Sequence, residues 1–399
     1  MNERLRRLCG LLGEQGIDAA LLLHPRDVLY YAGTARPASL LVICGLCAPS
    51  PSRPTAVGQA VLLVRRGLRY AAAEATIDRV KRMRGFSTVQ AATSALGLHG
   101  ARLGAALDVI PAGLYLRLKG VFPQWELVDI SSLILNQRMV KDSGEVEATR
   151  QAARAADAGH RALPQTAAPG VTELELAAYV EQATRRAGHE GYQPLRHPEA
   201  RGGGALLMSG ENLAVRGGHG LVVTGTGLSA ASPYGASRRV LQEGDIIVLD
   251  IGTTCGGYTA DESRTFVVGR PQREQQALFD VTRQTEDAVI GCLRPGVPVA
   301  EIYATAEAIV DRGAPPVYDP GSLTLPGFVG HGIGLELDEP PVLWPRDRTV
   351  LREGMVLAVE VEISAGERAI MTKLEDTVVI RSDGCEVLTN APRTLVQCR

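Results

Sequence analysis

The 399-residue chain contains no uninterrupted apolar run approaching the roughly 20 residues that span a bilayer. Its first ten residues, MNERLRRLCG, are charged where a signal peptide would carry an unbroken apolar stretch. Both absences lead to the expectation of a cytoplasmic protein with no membrane partner. Neither sign of charge dominates: 42 Lys and Arg stand against 44 Asp and Glu, a net charge of -2. A chain so balanced offers no electrostatic footprint for a polyphosphate backbone, which excludes nucleic acid as an expected partner. There is no low-complexity tract either, and 45% hydrophobic with 22% charged residues is the composition of a folded globular protein. Cysteine is sparse and odd in number, seven at positions 9, 44, 47, 255, 292, 385 and 398, too scattered for a disulfide framework. Cys44 and Cys47 form one C-x-x-C with no second Cys or His pair at zinc-site spacing, so they read as buried thiols that pack as small hydrophobes.

What is present suggests two domains, the default for this length. Leu5, Leu8, Leu11 and Leu12 recur at helical spacing, and IDAALLL then reads as a strand ending in a turn at HPRD. Further apolar runs at Leu40 to Cys44, Ala60 to Val64 and Leu103 to Asp108 continue an α/β pattern to about Ile134 without any catalytic cluster. Beyond Lys141 the Ala-rich stretch DSGEVEATRQAARAADAGHRAL predicts a long helix, and Thr172 with Glu175 predicts a capping box opening a second. The boundary is expected near residue 137, giving units of 1–137 and 138–399. In the second unit, helical patterns at 272–292 and 298–313 alternate with strand pairs, an α+β pattern with antiparallel sheet.

Two of those strand pairs carry paired acids. In GDIIVLDIGTTCGGYTADESRTFVV, a hairpin without a bulge that sets Asp250 opposite Asp261 turns between Cys255 and Gly256, near the glycines. In MVLAVEVEISAGERAIMTKLEDTVVI, setting Glu360 opposite Glu375 centres the turn between Glu367 and Arg368. Directly paired carboxylates lie about 5 Å apart and repel, so a cation between them is expected. Four carboxylates neutralise two divalent ions, and oxygen-rich sites with one imidazole suit Mn, Co, Fe or Zn. His331 in FVGHGIGLELDEPP is the expected nitrogen ligand, because Gly330 and Gly332 on either side permit close backbone approach. Glu362 shares a strand face with Glu360 and is a rival by pattern.

At these residues the chain resembles the creatinase/aminopeptidase P/prolidase-type metallopeptidase family. Asp250, Asp261, His331, Glu360 and Glu375 follow its ligand order Asp, Asp, His, Glu, Glu, and VLDIG, GYTADESRTF, GHGIGLELDEPP, GMVLAVE and LEDTVVI are similar to its motifs. The resemblance covers nearly the whole chain. It implies a pita-bread catalytic domain behind a smaller creatinase-type α/β domain, a dinuclear metal site, and commonly a homodimer. It favours Glu360 over Glu362 through the GMV-x-x-x-E spacing, gives Glu360 a proton-shuttle role, and sets a basic residue, here Lys373, near substrate and metals. The implied activity is that of an Xaa-Pro aminopeptidase or dipeptidase, in which metal-activated water attacks an amide carbonyl.

Two positions depart from the family's proline-directed peptidases. Their Pro-His-Gly segment is replaced by SPYGAS with Tyr234 at the histidine position, and their histidine seven residues after the metal-binding one is replaced by Asp338. An imidazole donates to an oxyanion near neutral pH, whereas an ionised carboxylate does not. Tyr234 and Asp338 therefore stand as candidates for proton transfer, and His219, in a glycine-rich loop, as a candidate replacement at the substrate. Two other readings follow from the departures: a metal-dependent lyase or non-peptide C–N hydrolase of a specialised pathway, and a non-catalytic pita-bread binding module.

Overall fold

The computed structural model describes residues 2–43, 58–95, 98, 102–196, 204–217, 222–312, 315–366 and 370–399. Cys44, Cys47 and His219 lie outside these. The chain divides into two compact units, Met1–Arg138 and Met139–Arg399.

The first unit is an α/β layer. Its helices are α1 (Glu3–Glu14), α2 (Pro25–Ala32), α3 (Leu68–Glu74), α4 (Phe86–Ser94), α5 (Ala112–Val121) and α6 (Ser131–Arg138). Its strands are β1 (Ala19–Leu22), β2 (Ala38–Ile43), β3 (Gln59–Val64), β4 (Val80–Arg82), β5 (Arg102–Ala105) and β6 (Glu126–Asp129), in the order β4-β3-β2-β1-β5-β6. The Asn2 side chain caps α1 by accepting from the Leu5 amide at 3.0 Å, and Leu5, Leu8 and Leu12 bury the stripe that their spacing predicts. The expected turn at HPRD is instead the start of α2. Pro25 occupies the first helical turn, where its missing N–H leaves no bond unmade and its fixed φ suits the helix.

Among the described residues, the second unit is a sheet backed by four α-helices: α7 (Ser143–Ala162), α8 (Glu173–Arg186), α9 (Arg273–Cys292) and α10 (Val299–Arg312). Thr172 and Glu175 form the expected capping box on α8, and Asp142 with Glu145 forms another on α7. The strands are β7 (Leu206–Ser209), β8 (Ile246–Cys255), β9 (Tyr258–Val268), β10 (Leu323–Thr324), β11 (Gly330–Gly332), β12 (Glu339–Val342), β13 (Val356–Ala365), β14 (Ile370–Arg381), β15 (Gly384–Val387) and β16 (Val396–Cys398). Seven of them run β12-β11-β13-β14-β9-β8-β7, with antiparallel neighbours throughout.

Strand alternation sorts the two faces of this sheet. Ile247, Leu249 and Ile251 of β8, with Phe266 and Val268 of β9, pack on Ala156, Leu176 and Val180 of α7 and α8. Leu357 and Val359 of β13, with Val378 and Ile380 of β14, pack on Val289, Ile302 and Ala306 of α9 and α10. Burying one such aliphatic side chain stabilises the fold by about 1.5–3 kcal/mol, so the helix-facing set fixes which residues look the other way. The intervening positions, Asp250, Asp261, Glu360, Lys373 and Glu375, are forced onto the opposite face.

The two hairpins differ in how they match expectation. Glu360 does stand opposite Glu375. Asp250, however, stands opposite Ser263, and Asp261 opposite Gly252. The turn is centred between Gly256 and Gly257, whose φ values of 59° and 80° give the two positive-φ residues that a tight two-residue hairpin requires. The register therefore sits two residues from the expected one. An even offset preserves the face, so both aspartates still point away from the helices.

Candidate metal centre

A row of functional side chains crosses five neighbouring strands: His331 on β11, Glu360 on β13, Lys373 and Glu375 on β14, Asp261 on β9 and Asp250 on β8. His331 is set by its glycine neighbours. A Cβ on Gly330 would meet Ala358 O at 2.2 Å, and one on Gly332 would meet Pro340 O at 2.3 Å. Only glycine lets β11 press this closely between β12 and β13. The His331 Nδ1 lies 3.0 Å from Gly332 O; donating there leaves the Nε2 lone pair directed inward. Nε2 is 3.6 Å from Glu360 Oε1 and 3.5 Å from Asp338 Oδ1.

Asp261, His331 and Glu375 each offer one ligand atom, all buried and all within 4.8 Å of one another. Glu375 Oε1 is buried with no hydrogen-bond partner among the described residues, the mark of an oxygen built to meet a cation. Two carboxylates and one imidazole fit a divalent ion of borderline character. Electrostatics agrees. Burial, and after it the Glu375 and Asp250 charges, raises the Asp261 pKa well above the carboxylate range. Burial likewise pushes Glu375 up to about 8, against the lowering effect of Lys373. For His331, burial alone would favour the neutral ring, but Asp338, Glu360 and Glu375 outweigh it and raise the pKa. Excess negative charge in a dry pocket is what a metal ion relieves.

Neighbouring groups hold these three side chains in position. Ser263 Oγ donates to Glu375 Oε2 at 2.6 Å. Thr377 Oγ1 accepts from the Asp261 amide at 2.9 Å and donates to Asp261 O at 2.8 Å, locking β9 to β14. On the helix side of the sheet, buried Arg264 donates to Glu375 O at 2.6 Å and pairs with Asp376 at 2.6 Å and Glu262 at 2.8 Å.

The other expected residues distribute differently. Asp250 and Glu360 do not join the three-ligand group directly: Oδ2 of the first and Oε2 of the second each lie 2.7 Å from Lys373 Nζ. Lys373, expected to face substrate, is buried with its ammonium inside the acid cluster. Burial alone would depress its pKa, but Asp250, Glu360 and Glu375 reverse this and hold it well above the usual lysine value. Glu362 is turned to other partners, accepting from Arg216 Nη2 at 2.7 Å and the Val223 amide at 2.9 Å. Asp338 is 65% exposed at its side chain, on the rim beside His331. Tyr234 is half-buried, in the loop after the Ser229–Ser232 bridge. Sequence reasoning missed Ser263, Thr377 and Arg264. Ser263 and Thr377 carried a signal, each lying two residues from an expected ligand, Asp261 and Glu375, and so on the same strand face.

The creatinase/prolidase N-terminal domain model matches residues 4–140, and the metallopeptidase family M24 model matches residues 147–382. The chain belongs to metallopeptidase family M24, with a creatinase-type α/β domain ahead of a pita-bread α+β domain. It is 25% identical over 401 residues to an Xaa-Pro dipeptidase of Pyrococcus horikoshii, covering 99% of both chains. It is 28% identical over 406 residues to a probable dipeptidase PepE of Mycobacterium tuberculosis, covering 98% of this chain and 95% of that one. Among solved structures it matches an Xaa-Pro dipeptidase from Bacillus anthracis with a TM-score of 0.80 at 25% identity, covering 99% of each chain. Among the described residues no helix is long and apolar enough to cross a membrane.

Proposed function

We propose that the chain is a metal-dependent hydrolase of short peptides, of the Xaa-Pro dipeptidase or aminopeptidase type, with Mn, Co, Fe or Zn bound at the face of the second unit. The observation that carries this reading is the convergence of Asp261, His331 and Glu375 donor atoms within 4.8 Å, inside an M24 scaffold. The dipeptidase relatives support the substrate class, and give no support to the lyase or the non-catalytic reading.

A divalent ion at such a site polarises a carbonyl and lowers the pKa of bound water. The chain's own residues do the remainder. Asp261, His331 and Glu375 would hold the ion, and Glu360 Oε1, 3.6 Å from His331 Nε2, is placed to accept and return a proton. Asp338, exposed beside His331, has no proton to donate to a developing oxyanion when ionised and serves instead as an acceptor. Tyr234, half-buried ahead of β8, is a candidate for proton transfer.

Cysteines 9, 255, 292, 385 and 398 are free thiols, which supports a reducing, cytoplasmic setting. A homodimer is expected, and light scattering at assay concentration measures it. The activity test is chelation followed by addition of single metals, with a panel of Xaa-Pro dipeptides and then of small non-peptide amides. Hydrolysis of the dipeptides that vanishes on chelation and returns with metal supports the reading; hydrolysis indifferent to chelation overturns it.

A further inference from the structure

We infer that Lys373 is a built-in cation of the centre, its ammonium engaging the oxygens of Asp250 and Glu360, so that the chain holds one divalent ion tightly on Asp261, His331 and Glu375 rather than two. This rests on the metal-dependent reading above and specifies how many ions the site takes.

Three carboxylates from three strands converge on one nitrogen. Lys373 Nζ lies 2.7 Å from Asp250 Oδ2, 2.7 Å from Glu360 Oε2 and 3.4 Å from Glu375 Oε2. A surface lysine would trade such partners for water, but this side chain is only 3% exposed. Its backbone is clamped as well, the amide donating to Thr265 Oγ1 at 2.9 Å and the carbonyl accepting from the same hydroxyl at 2.7 Å. Only rotation of the side chain, with loss of these contacts, would free the carboxylates.

A second divalent ion would need those same oxygens, which the ammonium already engages. Charge leads to the same conclusion. Two divalent ions neutralise four carboxylates, and an ammonium left among them would then be an uncompensated buried charge. One ion on the Asp261 side and the ammonium on the Asp250 side share the anionic field instead.

The test is metal content. The full-length protein is stripped with chelator, incubated with excess Mn²⁺ or Co²⁺, desalted and counted by elemental analysis, beside the K373Q and K373M variants. The expected result is one ion per chain in the wild type and two in the variants, with a second Co²⁺ band set appearing in the optical spectrum of the variants alone. Two tightly held ions in the wild type overturn the inference while leaving the hydrolase reading intact. So does a single ion in a folded variant. No ion in any of the proteins overturns both. Should neither variant fold, the wild-type count alone decides.

Discussion

The Ser263 hydroxyl donates to Glu375 Oε2 across 2.6 Å, joining β9 to β14 at the metal-facing side of the sheet. Glu375 Oε1 is thereby turned inward, where it has no other partner among the described residues. S263A removes this brace and leaves every ligand in place. Metal affinity is expected to fall by about 10–100-fold, the usual effect of losing a group that orients a ligand. Isothermal titration with Mn²⁺ measures it, and unchanged affinity would show that Glu375 is held by other means.

Arg264 is the counterpart on the helix side, fully buried and bonded to Asp376, Glu262 and the Glu375 carbonyl. R264L leaves buried Glu262 without its cation, while Asp376 keeps Arg393 at 2.8 Å. Stability should drop by about 3–5 kcal/mol, read from urea denaturation of the chelated protein. A loss under about 1 kcal/mol would mean that the acids find other partners or take up protons at little cost.

His160 provides the pH dependence. Its Nε2 lies 3.0 Å from Glu262 O, and its ring stacks on Phe266. Burial, and after it the Arg264 guanidinium, keeps its pKa well below the usual imidazole value. Unfolded, the ring titrates near about 6.5. As pH falls through that value the unfolded chain binds a proton that the folded one refuses. Stability present above it is thus lost at about 1.4 kcal/mol per pH unit while this difference lasts. H160Q cannot titrate, whereas Glu262, Arg264 and Arg161 remain common to both proteins. The stability difference, wild type minus variant, should therefore fall between about pH 7.5 and 5.5. A difference independent of pH would contradict a buried neutral His160.

Much of this arrangement is legible in the sequence. The five acid and imidazole positions emerge from hairpin parity and motif spacing, and parity survives a two-residue error in register. That error has a physical origin: pairing the two aspartates directly puts Cys255 and Gly256 at the turn, whereas Gly256 and Gly257 are the pair that supplies two positive φ values and so sets Cys255 opposite Tyr258. The turn at HPRD failed for a similar reason, because proline opens a helix as readily as it marks a turn. The lysine clamp was not legible. Lys373 shares a face with Glu375, but its contact with Asp250 depends on β9 and β8 lying next to β14, an order that strand patterns do not specify.

Asp338 is the position where specificity can be moved. Its carboxylate stands 3.5 Å from His331 Nε2, where an imidazole would supply a donor. D338H is expected to raise kcat/KM for Xaa-Pro dipeptides by about 10²-fold, the scale of one oxyanion donor. A decrease would show that the carboxylate itself takes part in turnover, and no change that it is peripheral.

The central claim is that Asp261, His331 and Glu375 jointly hold a divalent ion. Anomalous diffraction from crystals of the cobalt-loaded protein, recorded on both sides of the cobalt edge, tests it most directly. The account predicts a strong peak within bonding distance of all three side chains, absent in D261N. A peak elsewhere, or none in a crystal that shows these three side chains in order, would contradict it.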